Sequence, residues 1–266
     1  MADRYTHGHH DSVLRSHRWR TAENSAAYLL DHLGAGQRVL DVGCGPGTIT
    51  LDLADRVAPG EVVGLDVAGE VIDAARDAAS TRGVDNATFA VGDVYALDLP
   101  DASFDVVHAH QVLQHLTDPV AALVEMRRVL RPGGVLAVRD SDYGAFAWYP
   151  IDARLDRWLE LYHQVTAHNR AEADAGRFLR SWVRAAGFAD VELSSSTWTF
   201  AADDERAWWG DLWAERAVAS SFADQAVEYG LSTTDELEQI SHAWRDWAAT
   251  DAGHIVIVHG EVLAHR

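Results

Sequence analysis

Three glycines at alternate positions, Gly43, Gly45 and Gly47, follow the apolar run Val39-Leu40-Asp41-Val42 and precede a helix-like stretch that opens at Thr48. Glycine accepts positive φ and lets another group come close to the backbone. The helix start behind it offers N–H groups that lack intrahelical partners. Such a loop suits a nucleoside-type cofactor. The dinucleotide fingerprint, G-x-G-x-x-G/A, rests a pyrophosphate on the helix N-terminus. Here the spacing is G-x-G-x-G, and Thr48 stands where the last small residue would fall. Asp41, two positions before the first glycine, would repel a pyrophosphate but attract an ammonium group. A third reading gives the glycines no role but the turn, and three of them alternating after an apolar run and Asp argue against it.

Carboxylates recur at the ends of apolar runs. Residues 61–66 read as a second strand that ends in Asp66, 19 positions past Gly47. That is close to the spacing at which an acidic residue takes a ribose diol. A third strand over 87–91 runs into Gly92-Asp93, a fourth covers 104–111, and a fifth, 135–140, follows Leu130-Arg-Pro-Gly-Gly134. Helices are predicted between them at 47–57, 69–82 and 118–130, with Pro119 in the first turn, where its missing N–H costs nothing. Alternating strands and helices predict a parallel sheet. Right-handed crossovers then gather the strand C-termini, and the ligand loops, on one edge.

The motifs VLDVGCGPG (39–47), GLD (64–66), GD (92–93), FDVVHAHQVLQHL (104–116) and LRPGG (130–134) come in an order and spacing that resembles the class I S-adenosylmethionine-dependent methyltransferases. Among these the chain is similar to the ubiquinone/menaquinone C-methyltransferase branch. The likeness covers roughly residues 37–140 and is specific for cofactor and fold, not for substrate. It implies an α/β, Rossmann-like, seven-stranded and mostly parallel sheet with helices on both faces and a helical cap. Residues 1–36 would form an N-terminal lid and helix, and 37–140 the S-adenosylmethionine-binding core. Residues 141–266 would supply the cap and the last strands, an antiparallel hairpin interrupted by a helical insertion.

The resemblance also assigns roles. The backbone of Gly43, Cys44, Gly45 and Gly47 would pack against the methionine and ribose, and Asp41 would hold the amino group. Asp66 and Val67 would meet the ribose, and Gly92, Asp93 and Val94 the adenine. His110 and Gln111 would pass the methionine part, and Arg20 would pair with its carboxylate. The dinucleotide reading leaves Asp93 without a role.

Methyl transfer from a sulfonium needs alignment and desolvation more than it needs a metal. A general base matters only when the acceptor holds a proton. His115, Asp140 and Tyr143 are the candidates, although His115 could equally be a packed residue that fixes its loop. Acceptor contacts are expected from His10, His17 and Trp19 ahead of the core and from Tyr143 and Trp148 after strand five. Tyr143 and Trp148 could instead be core beneath the cap. The same choice between apolar pocket and core applies to the tryptophans at 208, 209, 213, 244 and 247. The cluster of His7, His9 and His10 reads as a lid, a mobile tail or a metal site. No carboxylate or second cysteine completes a metal set, so no metal is expected.

Composition narrows the rest. The chain has 266 residues, 48% of them apolar, enough for a sizeable core. Cys44 is the lone cysteine, and all 22 basic residues other than histidine are arginine. Schiff-base chemistry and a Walker-type lysine are therefore out. A formal charge of −19 disfavours nucleic acid and anionic membranes, and it eases entry of a neutral or cationic small molecule. No apolar run is long enough to span a membrane, and the N-terminus has no apolar leader, so a cytoplasmic protein without membrane insertion is expected. The aromatic-rich cap also suits a homodimer contact. His110-Gln111 stands where Asn/Asp-Pro-Pro-Tyr/Phe would mark N-methylation of macromolecules. The expected activity is transfer of a methyl group to an O or C atom of a small, apolar or aromatic organic molecule. The alternatives are a non-catalytic S-adenosylmethionine-binding protein and an NAD(P)-dependent oxidoreductase.

Overall fold

A computed structural model describes residues 3–8 and 10–266. Five parallel strands, β1 (Val39–Val42), β2 (Val62–Asp66), β3 (Ala87–Val91), β4 (Phe104–His110) and β5 (Leu130–Ser141), lie in the order β3-β2-β1-β4-β5. The short β6 (Ala147–Tyr149) and the long β7 (Asp190–Phe200) and β8 (His254–His265) complete the sheet. β8 runs antiparallel beside β5, and β7 pairs antiparallel along nearly all of β8. A strand has two edges, so β5 and β6 share one edge of β8 and β7 takes the other. The sheet therefore has eight strands, not seven. The extra one, β6, is three residues long and extends the line of β5 beside the start of β8. The parallel core matches the alternation of strands and helices, and the closing antiparallel hairpin is as the resemblance implies.

Helices alternate with the strands because apolar positions recur on one face of each. α3 (Thr48–Val57) and α4 (Gly69–Arg82) follow β1 and β2, and α5 (Pro119–Val129) precedes β5. Asp118 caps α5 by accepting from Ala121 N, and Pro119 opens it. β1 is buried at all four positions, as a strand flanked by others and covered on both faces should be.

The N-terminal segment departs from expectation. Residues 11–18 form a helix, α1 (Asp11–Arg18), capped by His10, whose Nδ1 accepts from Ser12 N, and anchored by the fully buried Val13. The single helix expected within residues 1–36 is replaced, beyond α1, by the short α2 (Ala22–Ser25) and a 3-10 turn (Ala27–His32). Thr21 and Asn24 make a reciprocal capping box on α2, and Ala26 then leaves the helical region at φ −138°.

After β5 come α6 (Ala153–His168) and α7 (Ala175–Ala185). Between β7 and β8 lie α8 (Asp203–Ala219), α9 (Ser221–Glu228) and α10 (Thr234–Ala248). α6, α8, α9 and α10 form the cap. Its interior is aromatic: Trp158, Trp213, Trp244, Trp247, Tyr162 and Phe222 are all fully buried. α1 lies against α8. Among the described residues no helix is long and apolar enough to cross a membrane.

Candidate functional site

A cavity of about 530 Å³ opens between the C-terminal ends of the parallel strands and the cap. Each strand end contributes: Val42 and Gly43 after β1, Asp66 and Val67 after β2, Gly92, Asp93 and Val94 after β3, His110 and Gln111 at β4, and Ser141 at β5. This is the crevice where doubly wound sheets bind ligands.

The glycine loop forms one wall. Gly43, Gly45 and Gly47 all have positive φ, as the spacing requires. Only the first two, with Cys44 between them, line the cavity. At Gly45 (φ +54°) a Cβ would meet nothing nearer than His17 Nδ1 at 3.8 Å, so the backbone there lies open to a ligand. At Gly47 (φ +80°) a Cβ would press on Phe89 Cε1 at 3.0 Å and Ala75 at 3.1 Å, away from the cavity. Gly47 is thus a glycine for packing and for the left-handed start of α3, a correction to its expected contact with a ligand.

The carboxylates sit where the strands place them. Asp66 accepts from Gly45 N through Oδ2 and from Ala68 N through Oδ1, both at 3.0 Å, and so ties the glycine loop to β2. Each oxygen keeps a second lone pair for a ligand hydroxyl. Asp93 is exposed and accepts from Tyr95 N at 2.9 Å. Asp41 is buried, and both its oxygens are engaged, with Thr50 Oγ1 at 2.6 Å and His108 Nδ1 at 2.7 Å.

The far wall comes from the N-terminal segment, the residues just after β5, β7 and the cap helix α8. Tyr5, His7, His17, Trp19 and Arg20 line it, together with Tyr143, Phe146, Trp198, Trp209, Trp213 and Arg216. Arg20 donates to Gln111 Oε1 at 2.5 Å, and burial lowers its pKa to about 10. Gln111, held at φ 53°, donates in turn to Ser141 Oγ and His259 Nε2. Buried Tyr143 stacks on Tyr162 at 4.0 Å, and His7 Nε2 lies 3.0 Å from the Tyr162 hydroxyl. His115 meets the ring of Tyr5 edge-on at 4.7 Å, and its Nδ1 has no partner. Burial, with the positive Arg20 nearby, brings the His115 pKa down to about 3. His7 and His110 are likewise held well below the usual histidine value, mainly by burial. All three imidazoles are neutral at pH 7.

Three further expected residues stand outside the cavity wall. Asp140 is sealed in the core and accepts from the backbone N of Gln114, and burial pushes its pKa up to about 7. It holds the 112–114 loop and does not face an acceptor. Trp148 lies on β6 and packs edge-on against Trp158 at 6.3 Å. His10 is spent on the cap of α1. The tryptophans divide: Trp209 and Trp213 face the cavity, whereas Trp244 and Trp247 are core. Of the histidine cluster, His9 lies outside the described residues, and His7 and His10 serve separate sites. Tyr5, Trp198 and Arg216 carry no motif, so no spacing signal points to them; the fold alone brings them together with His7.

The fold and this crevice define an α/β protein that holds a nucleoside-type cofactor at its strand ends. Residues 33–190, more than half of the chain, match the methyltransferase-domain family, and the chain belongs to it. It is accordingly a class I S-adenosylmethionine-dependent methyltransferase, and S-adenosylmethionine is its cofactor; the dinucleotide reading is set aside. The chain is 34% identical to an uncharacterized methyltransferase of Schizosaccharomyces pombe, over 97% of this chain and 95% of the relative. It is 32% identical to a demethylmenaquinone methyltransferase of Geobacillus stearothermophilus, over 63% of this chain and 77% of that one. The fold is similar to that of the YcgJ protein of Bacillus subtilis, with a TM-score of 0.59 at 21% identity, covering 97% and 99% of the two chains. The open backbone at Gly45, acceptors at two neighbouring strand ends and a guanidinium with an unpaired Nε at Arg20 fit the charge pattern of that cofactor.

Proposed function

We propose that this chain moves a methyl group to an oxygen or carbon atom of a small aromatic or otherwise apolar molecule. One observation carries the reading: a single cavity joins the glycine loop and strand-end carboxylates to an aromatic wall of Trp19, Trp198, Trp209, Trp213, Tyr143 and Phe146. Aromatic faces bury apolar rings and also attract a sulfonium. When bound, S-adenosylmethionine supplies a methyl group already activated for displacement.

The remaining work falls to the chain. Asp66 accepts the ribose hydroxyls and Asp93 the adenine amine, while the Gly45 backbone lets the nucleoside lie flat against the loop. Arg20 pairs with the cofactor carboxylate. His115, neutral and with Nε2 accepting from Gln114 Nε2, carries its proton on the unpartnered Nδ1, donates from there to an acceptor oxygen and aligns it. In that tautomer it positions the acceptor and does not take its proton. Tyr143, its pKa raised by burial, stays a neutral donor. A relative named for demethylmenaquinone supports an apolar ring as acceptor.

The test is a calorimetric titration with S-adenosylmethionine and S-adenosylhomocysteine, with NADH as control, followed by mass spectrometry of reactions with hydroxylated aromatic acceptors. Binding of both sulfur ligands and a singly methylated product are expected. Binding without product from any aromatic acceptor would overturn the acceptor class.

A further inference from the structure

The cavity holds two guanidiniums, Arg20 and Arg216, and among the described residues neither has an ion-pair partner. The chain carries 41 acidic residues, so carboxylates are not scarce. Buried Arg139, by contrast, has Glu261 at 3.1 Å, and buried Arg206 has Asp203 at 2.7 Å. Arg20 lies beside Gln111 at the cofactor end. Arg216 projects from α8 in the cap, 4% exposed, over the ring of Trp213 at 4.5 Å.

Arg216 helps hold α1 in place, because its Nη2 donates to Ser12 O at 3.0 Å and Ser16 Oγ at 3.1 Å. Both acceptors are neutral and both use the same nitrogen, while Nε has no partner. Burying a charge without a counterion is costly. The surroundings do not supply one. Tyr5, Tyr143 and Tyr162 are phenols held neutral by burial, and His7 is a neutral imidazole. The indole Nε1 donors of Trp209 and Trp213 are also unpartnered. The cavity wall around Arg216 is rich in donors and holds no carboxylate among the groups described.

Resting on the methyltransferase reading, we propose that Arg216 is a specificity-determining residue that selects acceptors bearing a carboxylate on an aromatic frame. The ring lies among Trp209, Trp213 and Tyr143, and the carboxylate takes the unused face of the guanidinium. With Arg20 assigned to the cofactor carboxylate, one positive charge remains, which matches a monoanion better than a phosphate dianion. The overall charge of −19 points to neutral or cationic acceptors; the local charge at the site of binding is the opposite.

The test is calorimetry on the full chain, free and loaded with S-adenosylhomocysteine. The probes are para-hydroxybenzoate and para-coumarate, each beside its methyl ester. In the unaltered protein each acid should bind about tenfold or more tightly than its ester, the difference expected of a charge-assisted bond in a dry site. Arg216→Met should abolish the preference and Arg216→Lys should keep part of it, with S-adenosylhomocysteine affinity unchanged in both. If Arg216→Met fails to fold, the acid-to-ester ratios of the unaltered protein and the lysine variant decide. Equal binding of acid and ester, a preference that survives Arg216→Met, or no binding of either probe overturns the proposal. Failure of S-adenosylhomocysteine to bind, with the acid preference intact, would count against the methyltransferase reading and leave the anion site standing.

Discussion

Asp41 and His108 face each other in register across β1 and β4, with His108 Nδ1 2.7 Å from Asp41 Oδ1 and both side chains sealed from water. Thr50, in the first turn of α3, donates to the other oxygen. The carboxylate at the root of the glycine loop thus ties two strands and a helix together. Asp41→Ala leaves a buried imidazole and hydroxyl without their acceptor, and the expected loss of stability is about 2–4 kcal/mol. Urea unfolding of the variant measures it, and unchanged stability would refute the structural role.

Acid should destabilise the fold well above the carboxylate range. His7, His110 and His259 are held well below their ordinary value of 6.5 by burial, and His115 comes down to about 3. Below pH 6.5 the unfolded chain protonates these four while the folded chain does not, so stability falls as pH drops from 6.5 toward 3. Asp140, raised to about 7, acts in the opposite sense between 3.8 and 7, because there the folded state holds the extra proton. Four imidazoles outweigh one carboxyl. Each proton contributes a slope of about 1.4 kcal/mol per pH unit. Unfolding midpoints from about pH 7.5 down to about pH 4.5 should decline, and His115→Gln should flatten the decline.

The strand-end half of the cavity was legible because its residues are local in sequence. Gly45, Asp66 and Asp93 each end an apolar run, and the parallel topology that brings the runs together follows from their alternation with helices. The aromatic half was legible only in part: His17, Trp19 and Tyr143, named from the sequence, line the cavity, but Tyr5, Trp198 and Arg216 come from three distant segments, the N-terminus, β7 and α8, and meet only through tertiary packing. Asp140 misled for a physical reason. It is the penultimate residue of β5, near the strand end where an acceptor would lie, but the pleat turns its side chain toward the 112–114 loop. Gly47 misled in the same way: positive φ was correct, and the cause was Phe89 and Ala75.

Removing residues 1–18 tests whether α1 is part of the cavity wall. The deletion takes away buried Ser12, Val13 and Ser16 and both acceptors of Arg216 Nη2. It also uncovers Trp213 and Tyr143. The sheet keeps its own apolar clusters, so the truncated chain should fold with a lower Tm, red-shifted tryptophan emission and impaired turnover. Full turnover in the truncation would mean that α1 covers the site without shaping it.

Two neighbouring glycines separate ligand approach from packing. Alanine at either position takes on left-handed strain of roughly 1–2 kcal/mol. At Gly45 nothing else is disturbed, since the nearest atom to a new Cβ is 3.8 Å away, but the methyl group would project into the space assigned to the cofactor. At Gly47 the new Cβ meets Phe89 and Ala75 at the limit of contact and must displace the ring that packs against α4. Gly45→Ala should therefore lose most S-adenosylhomocysteine affinity with a modest fall in urea midpoint. Gly47→Ala should lose more stability and, where folded, bind far better than Gly45→Ala. Calorimetry and urea unfolding of both variants, read side by side, give the answer. The reverse order of effects would place the ligand against Gly47 and make Gly45 the residue of the turn.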